Sequence, residues 1–539
     1  MRDPTRLRHH PQGMTRRDLL RRGGILLGAG VTAPWLAACT SDSTGDEEQQ
    51  QNEDRPNELN MGLANAFVSY NPALSPQLAS LTVIRHVFEP LVRYNPVSQA
   101  LEPWMIQEFP TRTGPDTFEA TLLPGLTFHD GSPVTAGDVV FTIEYMQDPE
   151  NGAFLGPFLN PVERVATQGD NTLIFTLVQE YAAFPSTLSI PYIIPEAIFT
   201  AQGNETFQTA PVGSGPYVFG DTNPGLSVTL ERYEGYEGRA EASLDTILLE
   251  YIVEGSTREV ELIAGELDII DQVPYRDLET LGTQEGIETG FTLGQRHMVL
   301  ETNHVSGPFA DQRVRQALLY GIDRQAIIDT VFQGQYGAIC DSILPMTDPF
   351  YVEPSTIYRP DPERARSLLA DAGHPDGLNF ELLLSTIPWI TEAGTLMKDQ
   401  LAQVGMNAEI RLTETEAGYG IVATTEYDTY VAYGVESALG ADPDVIYRVF
   451  NYGSSREGFY GSNTPEEQEY DAFVDEGLLA ATDEDRRAAY AQAQEIMSST
   501  VMNNFPLIFA ANLGAWADYV QGYTPPISDV PDFSVVSVT

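Results

Sequence analysis

The chain is 539 residues long, with 42% hydrophobic residues and 29 basic against 77 acidic side chains, a formal charge of −48. That length exceeds what one core organises and the apolar content is ample, so two or three domains are expected and wholesale disorder is excluded. A surface so negative repels phosphate backbones and anionic headgroups, which excludes nucleic acid and direct binding to lipid surfaces, and two cysteines, Cys39 and Cys340, exclude a disulfide framework.

The first predicted element is an address. Thr15-Arg16-Arg17-Asp18-Leu19 precedes a mildly apolar run, Gly23 to Ala38, which is broken by Pro34 and ends in Leu36-Ala37-Ala38-Cys39. The run is too short for the roughly 20 residues that span a bilayer. The arginine pair, Arg16 and Arg17, resembles a twin-arginine export signal, with Thr15 where Ser is usual and Leu19 where Phe is usual. The ending resembles a lipobox, where a diacylglyceryl group is attached to the Cys39 thiol and the signal is cut before it; a plain secretory signal is the alternative. Residues 1–39 are therefore expected to be a lipoprotein signal, with translation starting at Met1 or Met14, and 40–57 a disordered tether. Two acyl chains on one Cys suffice for stable anchoring.

Beyond the tether, Leu59 to Ser69 alternates weakly and is expected as a strand, broken by Tyr70-Asn71-Pro72. In Phe118 to Met146, His129-Asp130-Gly131 marks a turn, Thr135 an N-cap, and Val139, Val140, Ile143 and Met146 the buried side of a helix. Asn171 to Gln179 alternates as a strand. In Pro211 to Tyr217, PVGSGPY, glycines on both sides of Ser214 permit close backbone approach; the segment reads either as a turn against a ligand or as a sharp turn with no ligand role. Leu226 to Glu231 and Leu244 to Ile252 are further strands, and Glu259 to Ile270 is helix, glycine stop, strand. In Asn303 to Gly334, Asp311 caps one helix that ends at Gly321 and Asp323 caps a second that Gly334 stops, with Val314, Ala317, Leu318, Ala326, Ile327, Val331 and Phe332 on the buried faces. Asp361-Pro362 opens a helix that Gly373 closes. Asn379 to Ser385, Thr391 to Val404 and Asn407 to Leu412 form a β-α-β unit, and a parallel pair needs a crossover of that length, so this part is α/β. Thr482 to Asn503 is expected as a long helix, with Thr482 and Asp485 in capping-box spacing, and Phe505 to Ala511 as a returning strand.

The wording of several segments is more particular than their periodicity. Gly307-Pro308-Phe309 with Asp311, Arg313-Val314-Arg315-Gln316-Ala317-Leu318 and Ile322-Asp323-Arg324 resembles the start of the second lobe in the oligopeptide, dipeptide and nickel class of extracellular solute-binding proteins, the receptors that feed ABC importers. Ile84 to Asn95 with Leu101-Glu102-Pro103-Trp104, Phe118 to Met146, and Pro211 to Tyr217 resemble that family's entry into, signature of and exit from a small insertion domain. Leu123-Pro124 departs from the pattern, since a basic residue commonly stands there. The motifs follow the family's order across about residues 58–525. The resemblance implies an α/β chain with the two-lobed periplasmic-binding-protein type II fold and an additional small α+β insertion domain. Lobe I is then 58–85, 210–295 and 506–539, the insertion domain 86–209, and lobe II 296–505. With the lipobox-like Cys39, the chain is expected to be a monomer, lipid-anchored at the periplasmic or extracellular face of the cytoplasmic membrane. Such a protein captures a peptide or similar small organic solute between lobes that close about a hinge and delivers it to the transmembrane subunits of an ABC permease. A carbohydrate (oligosaccharide) receptor of the same fold is the alternative.

An exported hydrolase is the rival class. No G-x-S-x-G, H-E-x-x-H or S-x-x-K stretch occurs; of the seven histidines, His9 and His10 adjoin within the signal and the other five are scattered, with only His297 and His304 close among them and their spacing unlike that of metal ligands. No catalytic residue, cofactor or metal is expected, and Cys340, after Ala338-Ile339, is expected to be buried filler. Candidate ligand contacts are Phe67, Tyr70, Asn71, Ser214, Trp389, Tyr433 and Tyr460; the aromatic faces among them suit sugar rings or apolar side chains, with core filling as the competing role. In peptide-binding members an aspartate three residues before an Asp-Pro pairs with the peptide's free amine. Here that position is Leu439, so a free-amine peptide requires Glu436 or Asp442 as a substitute, and Asp442-Pro443-Asp444 reads equally as a turn.

Overall fold

A computed structural model describes residues 57–539, apart from 75–77, 96–99, 154, 182, 241, 345, 347, 435–441, 450 and 481. The export signal with Arg16 and Arg17, the lipidation residue Cys39, and Glu436 lie outside the described residues. Ten strands follow one another through a mixed sheet: β1 (Glu58–Leu63), β2 (Tyr217–Asn223), β3 (Ser227–Arg232), β4 (Thr246–Tyr251), β5 (Ile269–Asp271), β6 (Ile287–Thr302), β7 (Leu378–Ser385), β8 (Met406–Thr413), β9 (Thr429–Gly434) and β10 (Asn504–Ala517). Across the sheet the order is β8-β7-β9-β6-β10-β5-β1-β4-β3-β2, with Gly337–Ile339 as a short strand beside β10.

Helices complete the two α/β bodies: α1 (Leu78–Val87), α2 (Ala136–Gln147), α3 (Gly255–Ala264), α4 (Gln312–Gly321), α5 (Arg324–Val331), α6 (Pro362–Asp371), α7 (Pro388–Gln403), α8 (Pro443–Val449), α9 (Pro465–Leu479) and α10 (Asp483–Ile496). Their starts follow local chemistry. The Asp311, Asp323 and Asp361 side chains accept amides of the first turns of α4, α5 and α6, and Thr135 and Asp138 cap α2 reciprocally. Between α1 and β2, the strands Thr111–Arg112, Thr117–Thr121, Thr172–Leu177 and Val162–Gln168 form a separate antiparallel sheet. Among the described residues no helix is long and apolar enough to cross a membrane.

One apolar core lies under β1, β3, β4, α1, α2 and the small sheet, and a second under β6 to β8, β10 and α4 to α7. A third, rich in tyrosine, sits among α8, α9 and α10.

Three expectations are corrected. The first strand stops at Leu63 instead of Ser69, because the amide of Ala64 turns to Asp271 Oδ1 at 2.8 Å and the side chain of Asn71 then accepts the amide of Ala73. The returning strand runs from Asn504 to Ala517, well past Ala511; it is buried along nearly its whole length, so no alternation marks its extent. The helix from Thr482 ends at Ile496 in one wide turn, Met497–Val501, followed by Met502 at φ 48°.

A candidate ligand cleft where two strand groups face each other

β1 lies parallel to β4 and β5, and β7 parallel to β8 and β9, so each body has a carboxyl edge from which loops emerge. The two bodies are tied by the long antiparallel pair β6 and β10, and along that ribbon their strands run in opposite senses. Through Gly62↔Ile270, Ile270↔Ala515 and Thr289↔Ala515 the end of β1 lies level with residues 289–290 of β6, whereas the end of β9, Gly434, pairs with His297. Both carboxyl edges therefore point at the same stretch of ribbon from opposite sides, with roughly 20 Å between them. A crevice outside the carboxyl ends of parallel strands is where α/β sheets bind ligands.

The ribbon is irregular at this stretch. Between the pairs Leu293↔Ala511 and His297↔Phe509 the residues Gly294, Gln295 and Arg296 stand opposite Ala510 alone. A Cβ on Gly294 would come within 2.6 Å of the Ile527 carbonyl, so only glycine fits. Arg296 is 4% exposed; its Nε donates to Asp529 Oδ2 at 2.8 Å, and its guanidinium lies 5.7 Å from the centre of the Tyr433 ring. Asp529 holds a left-handed φ of 60°, and burial raises its carboxyl above the usual range against the pull of Arg296. Tyr433 meets Trp389 edge-on at 6.3 Å, and Trp389 lies 5.7 Å from Phe332. Trp389 is the second residue of α7, whose first turn has neither a side-chain cap nor an acid; Pro388 brings no amide N–H, and the Ile390 and Thr391 amides both turn back to the Ile387 carbonyl.

The remaining candidates are placed as follows. Phe67 and Tyr70 emerge from β1 and pack together at 6.1 Å, Tyr70 also meeting Phe219 at 4.6 Å; both are largely buried. Asn71 is fully buried, its amide donating to Asn204 and its oxygen accepting from Ala73, which shapes the loop. Ser214 is buried where the glycines press onto the end of α1: a Cβ at Gly213 would stand 1.9 Å from the Val87 carbonyl and one at Gly215 2.5 Å from that of His86. Gly213→Ala is therefore expected to lower unfolding free energy in urea by roughly 2–3 kcal/mol, the upper range for overpacking. Tyr460 is buried against Val299, Leu383 and Tyr430, so it shares the face of β9 opposite to Tyr433. Asp442 accepts two bonds from Arg486 Nη2, at 2.6 and 2.9 Å, and one from the Asp444 amide. The structure thus brings Trp389 together with Tyr433, and Phe67 with Tyr70.

His304 is not aimed at the crevice: its Nε2 lies 2.7 Å from both Ser462 Oγ and Glu467 Oε1. His297 lies buried in β6 beside Phe509, and Cys340 is buried, its thiol 2.8 Å from the Ser342 carbonyl. Sequence reasoning missed Arg296 with Asp529, which are 233 residues apart and carry no local signal. It also missed Asp444 with Arg448 at 2.8 Å, whose four-residue spacing on one helix was a signal.

The family model described as "Bacterial extracellular solute-binding proteins, family 5 Middle" matches residues 100–457, more than half of the chain. The chain belongs to that family. Among curated relatives of this family 5 chain, Heme-binding protein A of Haemophilus influenzae is 28% identical over 542 residues, covering 93% of this chain and 97% of the relative. The Glutathione-binding protein GsiB of Pectobacterium atrosepticum is 27% identical over 364 residues, covering 66% and 69%. Among solved structures, the dipeptide binding protein of Pseudoalteromonas sp. SM9913 in complex with Met-Leu superposes with a TM-score of 0.80 at 19% identity, covering 89% of this chain and all of that one. That likeness establishes the fold, and the family 5 chain has the two-lobed α/β architecture expected from its motifs.

Proposed function

We propose that this chain is the substrate-binding component of an ABC importer and captures a peptide or similar small organic solute between its lobes for delivery to the permease. The observation that carries the reading is the meeting of two carboxyl edges across one bulged ribbon, with Trp389 and Tyr433 on one side and the loop of Phe67 and Tyr70 on the other. The act is binding and release, without turnover. The amino end of α7, whose first turn carries no acid, suits an anionic group on the cargo, and the aromatic pair suits an apolar side chain. Asp442 and Asp444 are each engaged by an arginine, which disfavours them as partners for a free amine and favours cargo without one. The Trp389 and Tyr433 pair equally favours a second reading, an oligosaccharide receptor, since ring faces stack on sugars.

The proposed domain boundaries are 58–85, 210–295 and 506–539 for lobe I, 86–209 for the insertion domain and 296–505 for lobe II. Export through Arg16 and Arg17 and a diacylglyceryl anchor on Cys39 are proposed to hold a monomer at the outer face of the cytoplasmic membrane. Mass spectrometry of the mature N-terminus tests the anchor; an unmodified Cys39 thiol refutes it. Native mass spectrometry of the purified chain is expected to detect one small organic molecule per protein. With that molecule, Trp389→Ala is expected to weaken binding by about tenfold, an aromatic contact's worth of about 1.4 kcal/mol. Unchanged affinity would remove Trp389 from the site.

A further inference from the structure

The first core meets the region of α8 to α10 at Tyr181 and at Leu478. Tyr181, which follows the small antiparallel sheet and packs in the first core, donates its hydroxyl to Asp444 Oδ2 of α8 at 3.4 Å. Leu478, near the end of α9, is buried in that same first core, whereas its helix otherwise packs in the tyrosine-rich third core. We propose that Tyr181 and Asp444 form a proton-sensitive latch that sets how readily the two bodies part. The proposal rests on the reading above, in which the bodies open and close around cargo.

Among the described residues, the groups around Asp444 are these. From its own segment it faces Arg448 at 2.8 Å, and Asp442, whose side chain accepts the Asp444 amide. From α10 it faces Arg486 and Tyr490; from α9 it faces Tyr470, with Asp475 joined through Arg448 at 2.9 Å. From the other body it faces Tyr181 alone among the described partners. Burial pushes the Asp444 carboxyl up to about 6, although Arg448 pulls it down. When the bodies part, water reaches the carboxyl and relieves the burial that raises it, while Arg448 stays on the same helix; this outweighs the loss of the Tyr181 hydroxyl, so the carboxyl falls back towards its ordinary value. The closed form therefore takes up a proton more readily than the open form. Closure is favoured as pH falls below about 6 and weakened as pH rises through it. Between pH 7.5 and pH 5 the closed-to-open ratio should rise roughly tenfold. Tyr181→Phe keeps the ring and removes the hydroxyl, and should lower the ratio roughly three- to tenfold at both pH values.

The test is electron–electron distance spectroscopy on the full chain carrying Cys39→Ser, with nitroxides at Glu119→Cys in the small sheet and Glu409→Cys in β8, both exposed positions. With no solute added, the short-distance population is expected to grow on acidification, to be insensitive to pH in Asp444→Asn, and to shrink in Tyr181→Phe with its pH slope retained. Circular dichroism checks that each variant is folded, and the Tyr181→Phe result stands alone if Asp444→Asn is not. A distance distribution that responds to pH equally in wild type and Asp444→Asn, or that ignores Tyr181→Phe, overturns the latch and leaves cargo capture standing. A distribution that never changes, even with the molecule found by native mass spectrometry, overturns both.

Discussion

Asp529→Ala is expected to destabilise the protein by about 3–5 kcal/mol, because it strands the Arg296 guanidinium in a site where that side chain is 4% exposed. Two charges removed from water are held chiefly by the 2.8 Å contact between them, so deleting one costs more than the pair contributes. Asp529→Asn should cost less, since asparagine keeps an acceptor and tolerates the left-handed φ of 60°. The double variant Arg296→Met with Asp529→Asn should recover much of the loss, giving a strongly non-additive cycle. Urea unfolding of the four proteins reads these values, and single variants within about 1 kcal/mol of wild type would mean that the pair does not organise the ribbon. Because Arg296 sits in the bulge where β6 passes from one body to the other, the same substitutions are expected to disturb the geometry between Tyr433 and Trp389.

The second large effect belongs to Glu467. It accepts from Ser462 Oγ at 2.6 Å and from the Thr464 amide, and lies 2.7 Å from His304 Nε2, tying the end of β6 to the start of α9. Burial alone would raise its carboxyl; the hydrogen bonds from His304, Ser462 and Thr464 outweigh it and hold the group at about 2. A depressed carboxylate stabilises the fold above its unfolded value of about 4.5, and that contribution is lost as pH falls towards 2. The shift corresponds to roughly 3 kcal/mol. Glu467→Ala should therefore cost about 3–5 kcal/mol at neutral pH, since it leaves His304 and Ser462 buried without their shared acceptor. Glu467→Gln should flatten the acid limb of the stability profile between pH 5 and pH 2, and an unchanged acid limb would contradict the assignment.

Much of the fold was legible where the determining chemistry is local. Thr135, Asp311, Asp323 and Asp361 announce helix starts because a cap needs only the next two or three amides. The β7-α7-β8 unit was legible because its length and periodicity leave few alternatives. Thr464-Pro465 with Glu467 is an equally local signal, a capping box with proline in the first turn, and it was passed over in an acid-rich stretch. What the sequence could not display is whatever depends on partners far apart in the chain. Asp271 ends β1 by taking the Ala64 amide, Asp529 pairs with Arg296, and Tyr181 reaches Asp444, each across more than two hundred residues. The aromatic candidates divide for the same reason: Tyr433 and Tyr460 look alike in the sequence, and only the alternation of β9 assigns them to opposite faces.

Closure of the two bodies on a small solute across the bulged ribbon is the event on which the other readings depend. Small-angle scattering of the purified chain, titrated with a panel of peptides and oligosaccharides that includes any molecule recovered by native mass spectrometry, tests it most directly. A saturable decrease in the radius of gyration is expected with at least one member of the panel. Binding that saturates while the scattering curve stays unchanged from start to finish would contradict it.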